Sequence, residues 1–286
     1  MKKTEAERLN EWLHKQGVSI DEAKARLKAI SHGNQRQYNV YTHNFQGPHI
    51  RIGVLGDTHF GNKWTDKKFL GDVFKEFKKS KVEAIYHTGD MTDGPWQRHQ
   101  NVLEQYSHGI EAQVQDFVND FPSINGVPIY LIDGNHDGWY IRGGSGSPGK
   151  LIGAQRDDIT HLGRDEALIK INDITMMLSH PDDGSAYAYS YKPQKFVESM
   201  FKMGEKMPDI ILQGHYHKLF QMHFGGVAYV CSGTTCRQTP WMRGKKISAD
   251  MGAYILDIWT NNRNGLIKMT STLLPFVGNK HEQAIK

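Results

Sequence analysis

Seven residues in five short clusters carry side chains that bind metal ions. They are Asp57 and His59 in Gly56-Asp57-Thr58-His59, Asp90 after Gly89, Asn135 in Gly134-Asn135-His136-Asp137, His180 after Ser179, and His215 and His217 in Gly214-His215-Tyr216-His217. They offer two carboxylates, an amide oxygen and four imidazoles, a mixed oxygen and nitrogen set that suits manganese, iron or zinc. Seven donors exceed the four positions around a tetrahedral ion. The set suits two ions with one carboxylate between them. Taken singly, each cluster is common: an Asp-x-His is usually a turn, and a lone His is more often a capped or core residue. The ordered set of five is hard to reach by chance.

Each cluster follows an apolar, β-rich run: Ile50–Leu55, Val82–His87, Val127–Ile132, Ile174–Ser179 and Ile210–Gln213. In open α/β sheets, ligands bind beyond the carboxyl ends of strands, so five strand ends can converge on one place. Glycine before a donor is read as letting the chain turn sharply there. Between the runs, Phe69, Val73, Phe74 and Phe77 mark an amphipathic helix, and Leu103, Tyr106, Ile110, Val114 and Phe117 mark a long one. This alternation argues for an α/β core. From residue 167 strands dominate. Ala167–Ile171 and Ile174–Ser179 flank the turn Asn172-Asp173, and a helix is expected near 193–203. Lys218–Phe224 and Val227–Cys231 flank Gly225-Gly226, a two-residue hairpin turn, and further strands fall near 252–258 and 265–273.

The set resembles the calcineurin-like metallophosphoesterase superfamily, whose blocks are Asp-x-His, Gly-Asp, Gly-Asn-His-Asp or Glu, His, and Gly-His-x-His. All five occur here in family order across roughly residues 50–235. The resemblance implies an α/β (α+β) fold, a four-layer α/β/β/α sandwich with two central mixed β-sheets flanked by helices. It implies two divalent metal ions (Mn, Fe or Zn, with Mn favoured). Asp57, His59 and His217 would hold one, Asn135, His180 and His215 the other, and Asp90 would bridge them. It places His136 facing the substrate, to protonate the leaving group or stabilise phosphoryl oxygens, with Asp137 orienting His136 through a hydrogen bond. Ions ~3.5–4 Å apart would neutralise the phosphate and supply a metal-bound hydroxide for attack, so no Ser or Cys nucleophile is needed.

Protein Ser/Thr phosphatases of that superfamily carry Gly-Asp-x-Val-Asp-Arg-Gly. This chain has Gly89-Asp90-Met91-Thr92-Asp93-Gly94-Pro95, without the arginine. That departure points to a phosphate-ester substrate that is a phosphodiester of a nucleotide or of DNA or RNA. A DNA repair-type exonuclease or endonuclease and a phosphomonoesterase are the alternative enzymes. A scaffold subunit with the same fold is the non-enzyme alternative, against which all seven occupied positions argue. Gly144 to Leu151 nearly matches a P-loop but ends in Leu, not Ser or Thr, and is not read as one. The segment is read instead as a mobile rim loop, with Tyr140, Arg142, Lys150 and Arg156 near it as candidate substrate contacts, and Gly143 to Gly149 is rich in Gly and Ser. Trp96 is a further candidate. Tyr187, Tyr189 and Tyr191 alternate, which reads as core or edge packing of a short strand before base stacking. Arg237 and Trp241 follow the last cluster.

The 286 residues divide into a helical hairpin or helix-turn-helix-like appendage at 1–32, a polar linker at 33–48, the metallophosphoesterase domain at 49–275, and a polar tail at 276–286. Thr4 with Glu7 and Ser19 with Glu22 read as capping boxes opening the two N-terminal helices. Hydrophobic residues make up 38% and charged residues 23%, ordinary for a soluble protein. The net charge of +4 permits phosphate-bearing partners without requiring them. Cys231 and Cys236 form neither a disulfide framework nor a Cys-x-x-Cys pattern. A cytoplasmic location is expected, with no signal peptide and no apolar run near the ~18 residues of a membrane span. The oligomeric state is left open.

Overall fold

The computed structural model describes residues 4–15, 17, 19–21, 40–95, 102–184, 186–261 and 265–276. The chain falls into two units, residues 1–37 with 195–207 and residues 38–194 with 208–286. In the first, helix α1 (Glu5–Lys15) opens on the expected capping box. The Glu7 N–H donates to Thr4 Oγ1 at 3.3 Å, and the Thr4 N–H donates to the Glu7 carboxylate at 2.8 Å. Glu22 and the rest of the second expected helix lie outside the described residues, as do residues 277–286 of the tail.

The second unit carries twelve strands among the described residues. These are β1 (Val40–His43), β2 (His49–Leu55), β3 (Ala84–His87), β4 (Ile129–Asp133), β5 (Ile159–Arg164), β6 (Glu166–Ile171), β7 (Ile174–Ser179), β8 (Ile210–Gln213), β9 (Leu219–Phe224), β10 (Val227–Ser232), β11 (Gly252–Asn261) and β12 (Gly265–Pro275). Its helices are α2 (Lys67–Lys79), α3 (Ile110–Asp120), α4 (Asn135–Arg142), α5 (Pro148–Gly153) and α7 (Pro240–Gly244), while α6 (Tyr191–Lys202) crosses the boundary between the units. The strands form two six-stranded mixed sheets, ordered β1-β6-β7-β8-β10-β9 and β12-β11-β2-β3-β4-β5. In the second sheet β2, β3, β4 and β5 run parallel, so the carboxyl ends of β2, β3 and β4 share one edge. In the first, β7 and β8 are parallel and deliver their ends likewise. The expected α/β class, with two central mixed sheets and flanking helices, is what the chain adopts.

Period-two burial decides which side of each strand faces which layer. Ile50, Ile52 and Val54 of β2 pack between the sheets with Ile169, Met176, Leu178, Ile210 and Leu212. On the other face, Leu55 joins Phe69, Leu70, Val73, Phe74 and Phe77 of α2 and Val114 and Phe117 of α3. Gly53 lets α2 lie close, because a Cβ there would stand 2.8 Å from the Phe77 ring. No described helix is long and apolar enough to cross a membrane.

Three local features differ from the sequence reading. Residues 40–43, placed in the linker, form β1 and pair in parallel with β6. The long helix expected from Leu103 is instead a 3-10 turn at Val102–Glu104 followed by α3 from Ile110. Gly109 at φ 85 sits outside the helical region and stops it propagating backwards. The mobile loop expected at 144–151 is in its second half a capped helix, since α5 begins at Pro148. Ser147 caps α5 through the Lys150 N–H, and the buried Asp133 carboxylate accepts both the Ser147 hydroxyl and the Gly149 N–H.

Phe77 is fully buried between α2 and the second sheet. Phe77→Ala is expected to cost about 3–5 kcal/mol, read as a lower midpoint in urea with an unchanged slope. A loss below ~1 kcal/mol would mean that α2 does not pack as described.

Candidate metal centre

The five strand-end clusters meet. Asp57 and His59 follow β2, Asp90 follows β3, Asn135 opens α4 after β4, His180 follows β7, and His215 and His217 follow β8. All seven side chains are buried or nearly so. Three sets of donor atoms lie within 4.8 Å of one another: Asp57, His59 and His217; His59, Asp90 and His136; Asp90, His180 and His215. Asn135 Oδ1 stands 3.0 Å from His180 Nε2 and 2.7 Å from His215 Nδ1. His59 Nε2 and His217 Nε2 face each other at 3.0 Å, and His217 Nε2 is 3.3 Å from Asp57. His180 Nε2 is 3.2 Å from Asp90 Oδ2.

The backbone is bent to reach this arrangement. Among the described residues, nine that are not glycine have positive φ, and five of these are Asp57, His59, Asp90, His215 and His217. Each such residue costs roughly 1–2 kcal/mol, and functional sites are where such strain collects. The glycines before the donors serve closeness, and Gly89, with φ 103, serves turning as well. A Cβ on Gly134 would collide with Asp90, and one on Gly89 would stand 2.5 Å from His180 Nδ1.

Outer contacts set the ring tautomers. The Thr88 carbonyl, 2.7 Å from His180 Nδ1, accepts that proton and turns Nε2 toward Asp90 and Asn135. His136 Nδ1 is 2.8 Å from the Asp93 carbonyl, so its Nε2 faces Asp90 Oδ2 at 3.9 Å. Trp139 lies against the His136 ring at 4.1 Å between centroids. Beneath the site, burial pushes His87 down to about 3, so it stays neutral and its Nδ1 accepts the Gly89 N–H.

The electrostatics fit a cation. Burial alone would raise Asp57 and Asp90, but the surrounding imidazoles outweigh it and hold both below the ordinary carboxylate range. Burial likewise works to lower His59 and His180. The carboxylates outweigh it and push His59 up to about 9, with Asp93 and Asp90 leading, and His180 up to about 10, with Asp90 leading. Protons on these two rings balance negative charge that divalent ions would balance instead. Among the described residues, the buried Nδ1 atoms of His59 and His217 have no hydrogen-bond partner. His59 Nδ1 faces Asp93 at 3.5 Å, an ion-pair distance without hydrogen-bond geometry. Mixed donors, inward-facing ring nitrogens and buried anionic charge together fit divalent ions.

Several assignments change. Asp137 does not orient His136, a task that falls to the Asp93 carbonyl. Its carboxylate accepts the N–H groups of Met91, Thr92 and Gly134 and the Thr92 hydroxyl, fixing the loop after β3 against the start of α4. Arg156 is not at the cleft, because Asp158 and the Phe121 carbonyl hold it. Tyr140 is buried and does not line the cleft. Arg142 pairs with Asp182 at 3.1 Å, on the loop whose Asp183 carbonyl contacts His215. Arg237 is paired with Asp66. Trp96 lies outside the described residues. Sequence reasoning gave Asp93 no role. It holds His136 through its carbonyl and is itself held by Asn62 and Gln105. Its place three residues after Asp90 was the available signal.

The donors open onto a cavity of about 430 Å³ whose walls include His136, Trp139, Tyr216 and Trp241. None of its described lining residues is Lys or Arg. The model of the calcineurin-like phosphoesterase superfamily domain matches residues 50–249. No curated protein matches the chain. Solved structures similar to it include a novel archaeal phosphodiesterase (16% identity, 79% of this chain and 100% of that one, TM-score 0.45). Another is the Escherichia coli phosphoesterase YfcE (14%, 77% and 98%, TM-score 0.39). A third is wild-type Vps29 of Entamoeba histolytica complexed with zinc (12%, 79% and 99%, TM-score 0.41).

Because His59 and His180 are raised above an unfolded value near ~6.5, their pairing stabilises the metal-free fold fully below that pH. That contribution is lost as pH rises through about 9 and about 10. At pH 7 both rings hold protons that Mn²⁺ must expel, so titration calorimetry is expected to show release of about two protons and affinity that rises with pH. Binding without proton release, shown by heats that do not depend on the buffer, would refute this charge balance.

Proposed function

Because the chain belongs to the calcineurin-like phosphoesterase superfamily, we propose that it hydrolyses phosphodiesters at a centre of two divalent metal ions. The substrate is a nucleotide or nucleic-acid diester. Asp90 carries the two-ion reading. It stands in one donor set with His59 and in another with His180 and His215, so one carboxylate reaches both halves of the site. Asp57, His59 and His217 would hold one ion, and Asn135, His180 and His215 the other. When bound, such ions supply charge neutralisation and a water made acidic enough to attack near neutral pH.

The chain's own residues do the rest. His136 presents Nε2 to the cavity while Nδ1 donates to the Asp93 carbonyl, so in its imidazolium form the ring can pass the Nε2 proton to the departing oxygen and remain neutral with Nδ1–H in place. The His136 backbone N–H donates to Asp90 Oδ1 at 2.8 Å, which ties the proton donor to the carboxylate shared by both donor sets. Trp139 packs on the ring and limits its rotation. The preference for a diester rests on charge. A monoester dianion calls for cations beyond the metals, and no described Lys or Arg lines this cavity. A diester carries one negative charge, which two divalent ions balance alone.

Hydrolysis of bis-p-nitrophenyl phosphate is expected to require Mn²⁺, to stop in chelator, and to outpace hydrolysis of p-nitrophenyl phosphate. His136→Ala should lower the diester rate by ~10²–10⁴-fold while bound Mn²⁺ is retained. Faster monoester cleavage would overturn the diester reading. No cleavage of either ester, with no Mn²⁺ bound, would overturn the enzyme reading altogether.

A further inference from the structure

A second cavity, of about 250 Å³, adjoins the metal cleft. The two share Tyr216 and Ile247 as walls. Its composition is the opposite of the cleft's: Lys192, Lys218, Lys245 and Lys246 all line it, together with Tyr187 and Tyr189. The size is just under the ~300 Å³ at which small-molecule sites usually begin, which suits one arm of a ligand better than a whole one.

The tyrosines are not core. Tyr187 is 105% exposed, Tyr189 52% and Tyr191 51%, so the packing expected from their alternation is not formed. The segment 186–190 is bends and turn, not strand. Large aromatic rings left in water beside a cavity are available for stacking. At the cavity's base Lys218 is only 9% exposed. Its ammonium donates to the Ser248 carbonyl and hydroxyl and lies 5.2 Å over the Tyr189 ring.

The acids facing these lysines do not cancel them. Asp183 is engaged by Lys192 at 2.8 Å and by the Tyr216 hydroxyl at 2.7 Å. Asp250 reaches Lys218 only at 3.7 Å. Among the described residues no ion pair engages Lys245 or Lys246, and both are exposed. The cavity therefore holds unbalanced positive charge next to exposed π-faces. That combination recognises a nucleotide unit, with stacking for the base and ammonium groups for a phosphate.

We propose that this cavity is a nucleotide subsite. It takes the nucleotide residue that flanks the scissile phosphate, with the base against Tyr187 and Tyr189 and the next phosphate on Lys245 and Lys246. As an account of substrate choice it rests on the diesterase reading. As a binding site it stands without it, because none of its residues is a metal donor. The cleft, with no Lys or Arg among its described walls, and the lysine-rich annex then divide the work: the metals take the phosphate that is cut, and the lysines take the one that is kept.

The test is binding in chelator, where no hydrolysis can occur. The probes are adenosine 3′,5′-bisphosphate, ribose 5-phosphate and inorganic phosphate, titrated by calorimetry at two salt concentrations. The variants are Tyr187→Ala with Tyr189→Ala, and Lys245→Gln with Lys246→Gln, each checked for an unchanged melting temperature. The bisphosphate is expected to bind wild type at least tenfold more tightly than either base-free probe. Each double variant should weaken it about tenfold, and the lysine pair should also flatten its salt dependence. Equal binding of all three probes, or bisphosphate binding that neither variant changes, would overturn the subsite. Binding in chelator is independent of bis-p-nitrophenyl phosphate hydrolysis, so failure of the subsite and failure of the diesterase reading are seen separately. If a double variant melts early, Tyr187→Ala and Lys245→Gln alone, at exposed positions, carry the same test.

Discussion

The carboxylate of Asp137 holds the site in register. It is fully buried and accepts four hydrogen bonds, three from backbone N–H groups and one from a hydroxyl. Two of the N–H groups follow Asp90 and the third is that of Gly134, before Asn135. One side chain thereby locks the loop after β3 to the start of α4, and with it the separation of two candidate metal donors. Burial and the negative charges of Asp90 and Asp133 work to raise its pKa. Yet every partner is a donor, which is the arrangement that serves an ionised carboxylate.

That lock matters because the surrounding backbone is strained. Five donors in the left-handed region together cost several kcal/mol, a sizeable share of the ~5–15 kcal/mol that holds a domain folded. The two apolar layers offset it, and fixed hydrogen bonds direct it. The loop after β2 is tied down as well: Thr234 Oγ1 donates to the Asp57 carbonyl at 2.6 Å, and the Asp57 carboxylate accepts the His215 N–H. The loops are strained in a rigid frame, so the donors are held in place before any ion arrives.

Much of this was legible in the sequence because it is local. The run Ile210–Gln213 became a strand with those bounds, and every donor cluster sits at the strand end where the β-rich runs placed it. What was not legible is mostly non-local or polar. β1 is a four-residue strand whose partner β6 lies far along the chain. The polar run Ile159–Arg164 carries little strand signal, yet it completes the parallel edge beside β4. The role of Asp93 depends on its carbonyl, which residue type does not report. Arg156 shows the limit from the other side: it lies near the motif in sequence, but a carboxylate two residues on claims it. The tyrosines at 187, 189 and 191 have strand-like spacing, and the chain does not form a strand there.

The donors also come from both sheets in each half of the site. His59 meets His217 across 158 residues of chain, and Asn135 meets His215 across 80. One half spans the chain from Asp57 to His217 and the other from Asn135 to His215, so both are complete only once His217 has been made. A nascent chain therefore cannot bring all the donors together until it has run past His217 and strands of both sheets have met. A complete donor set thus reports that the two sheets have come together, even though β9 to β12 follow the last donor in the chain.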